Sequence, residues 1–251
     1  GAIKAATGAN TIKWVQNLGH NLIDEVSIEI GGQTIDKHYG TWLNIWNELT
    51  QTSEKSSGYN DMIGNVGGMT DAKDGDDGEI GEYTMYIPLQ FWFCRNPGLA
   101  LPLIALQYHE VKLNFEFRGI RELTRSDVEI VNPLDIDGST PSIRSASLWV
   151  DYIYLDTDER RRFAQVSHEY LIEQVQFNEP EGIDTRSTTL NSAIQLNHPV
   201  KEMVWVINRN ENRTANTLTG NDWFNFSSTT GDDTFETAKL LFNGHDRMKE
   251  R

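Results

Sequence analysis

The stretch Leu18–Leu49, LGHNLIDEVSIEIGGQTIDKHYGTWLNIWNEL, carries three structural signals without a break, and the reading of the chain works outward from it. Val26, Ile28 and Ile30 alternate with Ser27 and Glu29, so an extended segment is predicted with one apolar and one solvated face. Gly31-Gly32 supplies two residues free to adopt positive φ, which a tight reversal requires, and Gln33 to Asp36 resumes extended spacing. A hairpin follows. After Tyr39-Gly40 the period changes, with Trp42, Ile45, Trp46 and Leu49 at i, i+3, i+4 and i+7 and Thr41 placed to cap the first turn. This predicts a short amphipathic helix whose two tryptophans lie against a wall.

Upstream, Ile12-Trp14-Val15 is a short strand candidate. Downstream, Ser53 to Gly81 is rich in glycine and polar residues with little apolar periodicity, and reads as a long surface loop. Its Asp71, Asp74, Asp76, Asp77 and Glu79 raise the question of calcium, but the spacing fails. Counting from Asp71 puts Lys73 and Gly75 at ligand positions, and counting from Asp74 misplaces the turn glycine. A solvated acidic loop is the expectation, with a weak cation site as the alternative.

Strand character returns at Tyr83 to Phe93, where Tyr83, Met85, Ile87, Leu89, Phe91 and Phe93 share one side, and Asn96-Pro97-Gly98 ends it in a turn. Leu99 to Leu106 holds Pro102 and is expected to be an irregular packed segment. Val111, Leu113, Phe115 and Phe117 alternate with Lys112, Asn114, Glu116 and Arg118 as a half-buried strand, Glu122 to Ser147 is loop-rich, and Ser147 to Leu155 is a further strand. Asp156-Thr157-Asp158-Glu159-Arg160-Arg161-Arg162-Phe163 places acidic residues before basic ones, which suits the dipole of a short helix capped by Asp156 or Thr157. Three consecutive arginines could grip phosphate, but a helical turn scatters them, so a solvated linker helix over 158–166 is favoured. It divides a first unit, 1–157, from a second, 167–251. In the second unit, His168 to Phe177, Thr188 to Leu196 and Val200 to Ile207 are predicted strands, and Asn208 to Asp233 is a polar loop broken by Trp223-Phe224-Asn225-Phe226. It carries two Asn-x-Ser/Thr sequons, at Asn212 and Asn225, a pattern common by chance.

The chain of 251 residues carries a formal charge of −15, from 37 acidic against 22 basic residues, so its field repels phosphate backbones and direct nucleic-acid binding is not expected. No apolar run reaches the ~20 residues of a membrane span. The one cysteine, Cys94, excludes an internal disulfide and a thiolate metal cluster, and within Gln90-Phe91-Trp92-Phe93-Cys94 it is expected to be a small buried apolar residue rather than a nucleophile. His20, His38, His109, His168, His198 and His245 are scattered one per segment, without a metal triad in sequence. Phosphate loop, GxSxG elbow, HExxH helix and CxxC pair are all missing, and no carboxylate sits in an apolar setting that would raise its pKa. The expectation is therefore no catalytic residue, no metal, no cofactor and no enzyme activity.

Two features of the central stretch recur. His20 opens HNLIDEVSI and His198 opens HPVKEMVWV, while VSIEIGGQTIDK, from Val26, is echoed by AKLLFNGHDRMK, from Ala238, with Gly32 matching Gly244. An insertion at Asn208 to Asp233 accounts for the unequal offsets. A β unit repeated after a linker helix suggests two similar antiparallel domains in tandem.

LGHNLIDEVSIEIGGQTIDKHYGTWLNIWNEL, IPLQFWFCRNPGLALPLIALQYHEVKLNFEFR, LWVDYIYLDTDERRRFAQVSHEYLIEQVQ, HPVKEMVWVI and LLFNGHDRMKER, in this order, closely resemble the major capsid proteins of the nucleo-cytoplasmic large DNA viruses, the group of iridoviruses, phycodnaviruses and marseilleviruses. The resemblance implies an all-β tandem double jelly roll with short helices. It implies homotrimers of pseudo-hexagonal outline that tile an icosahedral shell over an internal membrane, beside neighbouring capsomers and above minor capsid proteins. It implies assembly in the host cytoplasm and residence in the virion. It places the family's opening strand before residue 1 and closing strands after Arg251, so the second sandwich is expected to be incomplete in this chain. The alternative is a jelly-roll carbohydrate-binding module or lectin, with Trp223, Phe224 and Phe226 as a sugar platform and the acidic loop holding calcium.

Overall fold

A two-residue turn fixes the register around which the first half of the chain is built. Gly31 and Gly32 both have positive φ (59° and 84°), the conformation that matches the twist of a tight hairpin and that side chains resist. The computed structural model describes residues 3–4, 11–74, 79–126, 142–184, 186–214 and 220–248. The described elements are β1 (Ile3–Lys4), β2 (Thr11–Trp14), α1 (Leu18–Leu22), β3 (Ile23–Ile30), β4 (Gln33–Tyr39), α2 (Gly40–Thr50), α3 (Ser53–Ile63), α4 (Gly67–Thr70), β5 (Lys73–Asp74), β6 (Glu79–Ile80), α5 (Trp92–Arg95), β7 (Val111–Phe117), α6 (Ile120–Leu123), β8 (Thr124–Ser126), α7 (Thr157–Gln165), α8 (Asn210–Arg213), β9 (Leu240–Phe242) and β10 (His245–Met248).

Among the described residues every ladder is antiparallel, in the orders β4-β3-β7, β5-β2-β8, β1-β6 and β10-β9. The longest strand, β3, is central in its sheet, so it is covered from both sides. Val26 and Ile28 are fully buried, and Ser27, expected on a wet face, is buried too. The core has two parts. Ile23, Val26, Ile28, Leu43, Phe91 and Trp92 form one under the β4-β3-β7 sheet, with Val111, Leu113 and Phe115 packed against it as their alternation predicts. Ile12, Trp14, Val15, Leu18, Met69, Ile80 and Leu123 form the other around β2.

The structure departs from expectation in several places. Ser53 to Ile63 and Gly67 to Thr70 are helical rather than loop, because Tyr59 and Ile63, one turn apart, and then Met69 find apolar cover. The glycines that suggested a loop punctuate these helices, and Gly64 (φ 75°) ends α3 in the left-handed region with its N–H donated back toward Asp61. Helix α2 forms where the period changes, but Thr41 does not cap it. Tyr39 is the N-cap and makes no side-chain bond, and the buried positions are Gly40, Leu43 and Asn44. Gly40 is required there. A Cβ at this position would lie 2.2 Å from the His20 carbonyl oxygen and 2.5 Å from that of Ile23. Tyr83 to Leu89 is extended without a ladder, touching α3 through Tyr86 N–H to the Met62 carbonyl (2.8 Å), and Trp92–Arg95 turns into a helix instead of continuing as strand.

The same holds for Ser147 to Leu155, His168 to Phe177, Thr188 to Leu196 and Val200 to Ile207, which run without strand pairing among the described residues. Alternating apolar residues give a chain the capacity to be a strand, but the ladder needs a neighbour. Helix α7 forms where acidic-then-basic order predicts, with Asp156 Oδ1 accepting from Glu159 N–H (2.8 Å) and Glu159 Oε2 accepting from Asp156 N–H (3.1 Å), a reciprocal capping box. Residues 127–141 of the predicted loop lie outside the described residues, as do Asp76 and Asp77.

The hairpin echo is geometrical as well as sequential. Asn243 and Gly244 have φ 51° and 76°, the same turn conformation as Gly31-Gly32. In the first hairpin Ile28 pairs with Asp36 and Glu29 with Thr34, leaving Ile35 unpaired; in the second Leu241 pairs with Asp246 and Leu240 with Met248, leaving Arg247 unpaired. Both bulges fall on the returning strand at the third residue past the turn glycine.

Candidate assembly surface

The described chain leaves a continuous run of apolar side chains in solvent. Leu148, Trp149, Val150, Tyr152, Ile153 and Tyr154 are all exposed, Trp149 at 81% and Tyr154 at 92%, so neither face of this extended segment is covered. Farther along, Leu171, Phe177, Leu190, Ile194, Val200, Val204, Trp205 and Val206 are exposed as well. Exposed apolar area on this scale is more than a free soluble surface ordinarily carries. Arg144, just before the run, is ion-paired with Glu82.

The residues that could have carried small-molecule chemistry are occupied elsewhere. Trp223 donates its indole N–H to the Glu122 carbonyl (2.8 Å), packs against the β2 cluster and is covered by the Arg118 guanidinium 4.3 Å above its ring. Its ring is an anchor, so it offers no sugar platform, and Phe224 and Phe226 beside it are half-buried. Asn221 completes this anchor by donating to the Arg121 and Thr124 carbonyls, while Asp222 pairs with Arg125 at 3.4 Å. Both sequon amides are engaged. Asn212 is buried, receives Arg209 and donates to the Asn225 carbonyl (2.9 Å), and Asn225 donates to Asp222 while accepting from Ser227.

Among the described residues no three His, Cys, Asp or Glu side chains are grouped to hold a metal ion, and no helix is long and apolar enough to cross a membrane. His109, His198 and His245 are exposed, and His168 is bonded to the Phe163 carbonyl (2.7 Å). Cys94 corrects the sequence reading. It is exposed, because the chain turns into α5 and points it away from the core. Desolvation by surrounding atoms still pushes its thiol pKa up, the opposite of what a nucleophile needs.

Sequence reasoning passed over two buried polar side chains. Asp36 and His38, exposed to 4% and 1%, lie across from Ile28 and Val26 on the face of β4 that must be buried once β3 is placed. That cross-strand register was the available signal. His38 stacks on Phe91 (centroids 4.4 Å apart, planes at 22°) with Nε2 3.1 Å from Asp36 Oδ2.

With this geometry in view, comparison with known proteins gives one answer. The family described as "Major capsid protein N-terminus" matches residues 2–156, and the one described as "Large eukaryotic DNA virus major capsid protein" matches 159–251. The chain is 48% identical over 239 residues to the major capsid protein of Pyramimonas orientalis virus, covering 95% of this chain and 51% of that protein. It is 45% identical to that of Phaeocystis pouchetii virus, covering 82% of this chain and 44% of that protein. Among solved structures, a quasi-atomic model of the PBCV-1 virus capsid covers 100% of this chain and 62% of its own, at 31% identity and a TM-score of 0.66. The chain thus spans about half the length of the curated relatives it matches.

Proposed function

The chain belongs to the major capsid proteins of large eukaryotic DNA viruses, and on that premise we propose that it is a structural subunit of an icosahedral virion shell, built of two jelly rolls in tandem and assembled with copies of itself into pseudo-hexagonal trimers. The observation that carries this reading is the pair of family matches, one ending at residue 156 and the other starting at 159, on either side of the start of α7. In the proposal α7 is the joint, with 1–157 as the first jelly roll and 167–251 as part of the second. The twin hairpins, alike in turn conformation and in bulge position, support a duplicated unit.

A shell subunit works through area. It needs rigid sheets, apolar faces that close against neighbours, and loops that vary without disturbing the core. Exposed apolar runs in the second half are the surfaces such packing would cover, within a completed sandwich or against neighbouring subunits. The charge of −15 fits a partner list of protein rather than nucleic acid: other copies, adjacent capsomers and minor capsid proteins beneath them, meeting during assembly in the host cytoplasm. Among the described residues no feature calls for a cofactor, and the relatives matched here are major capsid proteins. The carbohydrate-binding alternative has no observation in its favour, since Trp223 is spent on an internal anchor.

Light scattering on the purified protein at its natural length tests the proposal. A trimer at micromolar concentration is the expected result, and a stable monomer there would overturn it.

A further inference from the structure

The free edge of β4 is held by side chains where a strand ladder would be expected. Residues 172–177 lie along it, yet no strand pairing joins them to β4. Gln174 Nε2 donates to the carbonyl of Ile35, the bulge residue. The next main-chain donor, Val175 N–H, goes 3.0 Å to the carboxylate of Asp36 instead of to a carbonyl. We propose that Asp36 is the peg that seats the strip 172–177 on the β4 edge, apart from the Trp223 anchor farther along the chain, and that His38 holds this peg in position.

Three features of the site support the assignment. Burying a carboxylate is costly unless several donors satisfy it, and Asp36 Oδ1 receives both Lys37 N–H (2.9 Å) and Val175 N–H (3.0 Å). Its other oxygen faces His38 Nε2 at 3.1 Å, off the line of a hydrogen bond because the imidazole plane is set by stacking on Phe91. That contact sets the imidazole directly against the second carboxylate oxygen. Around the peg the strip makes contacts that only a seated segment could make. Ile172 packs against the β3 core, Glu173 pairs with Arg95 (3.2 Å), and Phe177 meets Tyr39 with ring centroids 4.9 Å apart. A seam of this kind can open without breaking a ladder, so the strip can release from the first half while the β4-β3-β7 sheet stays folded. The inference stands apart from the shell reading, because it concerns contacts within one chain.

Hydrogen exchange on the whole chain tests it. In Asp36→Ala, exchange across 172–177 is expected to rise about tenfold or more while β3 stays within about twofold of the unchanged protein. Asp36→Asn, which keeps an oxygen for Val175 N–H and offers an N–H toward His38, is expected to recover much of that protection. Val175→Pro deletes the donor on the docked strip without touching Asp36, at the cost of a fixed φ at 175 and a restricted Gln174, and is expected to release 172–177 even if Asp36→Ala fails to fold. Unchanged protection of 172–177 in Val175→Pro would overturn the proposal. So would loss of protection in β3 and 172–177 together in both Asp36→Asn and Val175→Pro, which would make Asp36 an ordinary core residue.

Discussion

His20 is fully buried with Nε2 2.9 Å from the Tyr59 hydroxyl, and burial pulls its pKa down to about 4, outweighing a contact with the Asn44 side chain that acts the other way. The unfolded chain takes up this proton near 6.5 and the folded chain only near 4. Between those values the unfolded state binds more protons, so stability falls as pH drops, by roughly 2 to 3 kcal/mol at pH 4.5 relative to pH 7. Urea unfolding at the two pH values checks this: His20→Gln should lose that part of the acid sensitivity, and an unaltered slope would remove His20 as its source. None of this was legible in the sequence, where His20 was one histidine among six. The partner that buries it, Tyr59, lies 39 positions away on a helix hidden behind a glycine-rich composition. Asp36 and His38 were closer to legible, because the hairpin register that the sequence does reveal sets them opposite Ile28 and Val26.

At the scale of elements, the hairpin β3–β4 and strand β7 could be read from alternation and turn chemistry alone, since period-two patterning and a Gly-Gly turn are local signals. Helix α2 was legible in its existence and not in its facing. Its four apolar positions suggested a Trp-led face, whereas the close approach of Gly40 to the His20 and Ile23 carbonyls rotates the helix so that Leu43 enters the core. Trp42 and Trp46 are half-buried and lean on one another with centroids 5.7 Å apart, and Arg95 lies 4.6 Å over Trp46. Leu43→Ala should therefore cost about 3 kcal/mol of folding stability, and Trp42→Ala or Trp46→Ala less, about 1 to 2 kcal/mol each. Denaturant titration decides the order, and a larger loss at either tryptophan would put the helix face back where its periodicity placed it. The segments from 147 to 207 failed as strands for a different reason. Their alternation is real, but a ladder is a property of two segments, and a single segment's sequence does not reveal whether its neighbour is at hand.

For the whole molecule, the strongest information in the sequence was long-range and composite. Five ordered segments resembled one capsid family, and the matched regions, 2–156 and 159–251, span nearly the full chain. What the matches leave to experiment is the assembled state, since the function proposed resides in contacts between copies and the chain covers about half of its relatives' length. Electron microscopy of the purified protein at its natural length measures that state directly. A three-lobed ring of pseudo-hexagonal outline, each lobe holding two sandwiches side by side, is the predicted image. Isolated single-sandwich particles that do not associate at any concentration reached would contradict the account.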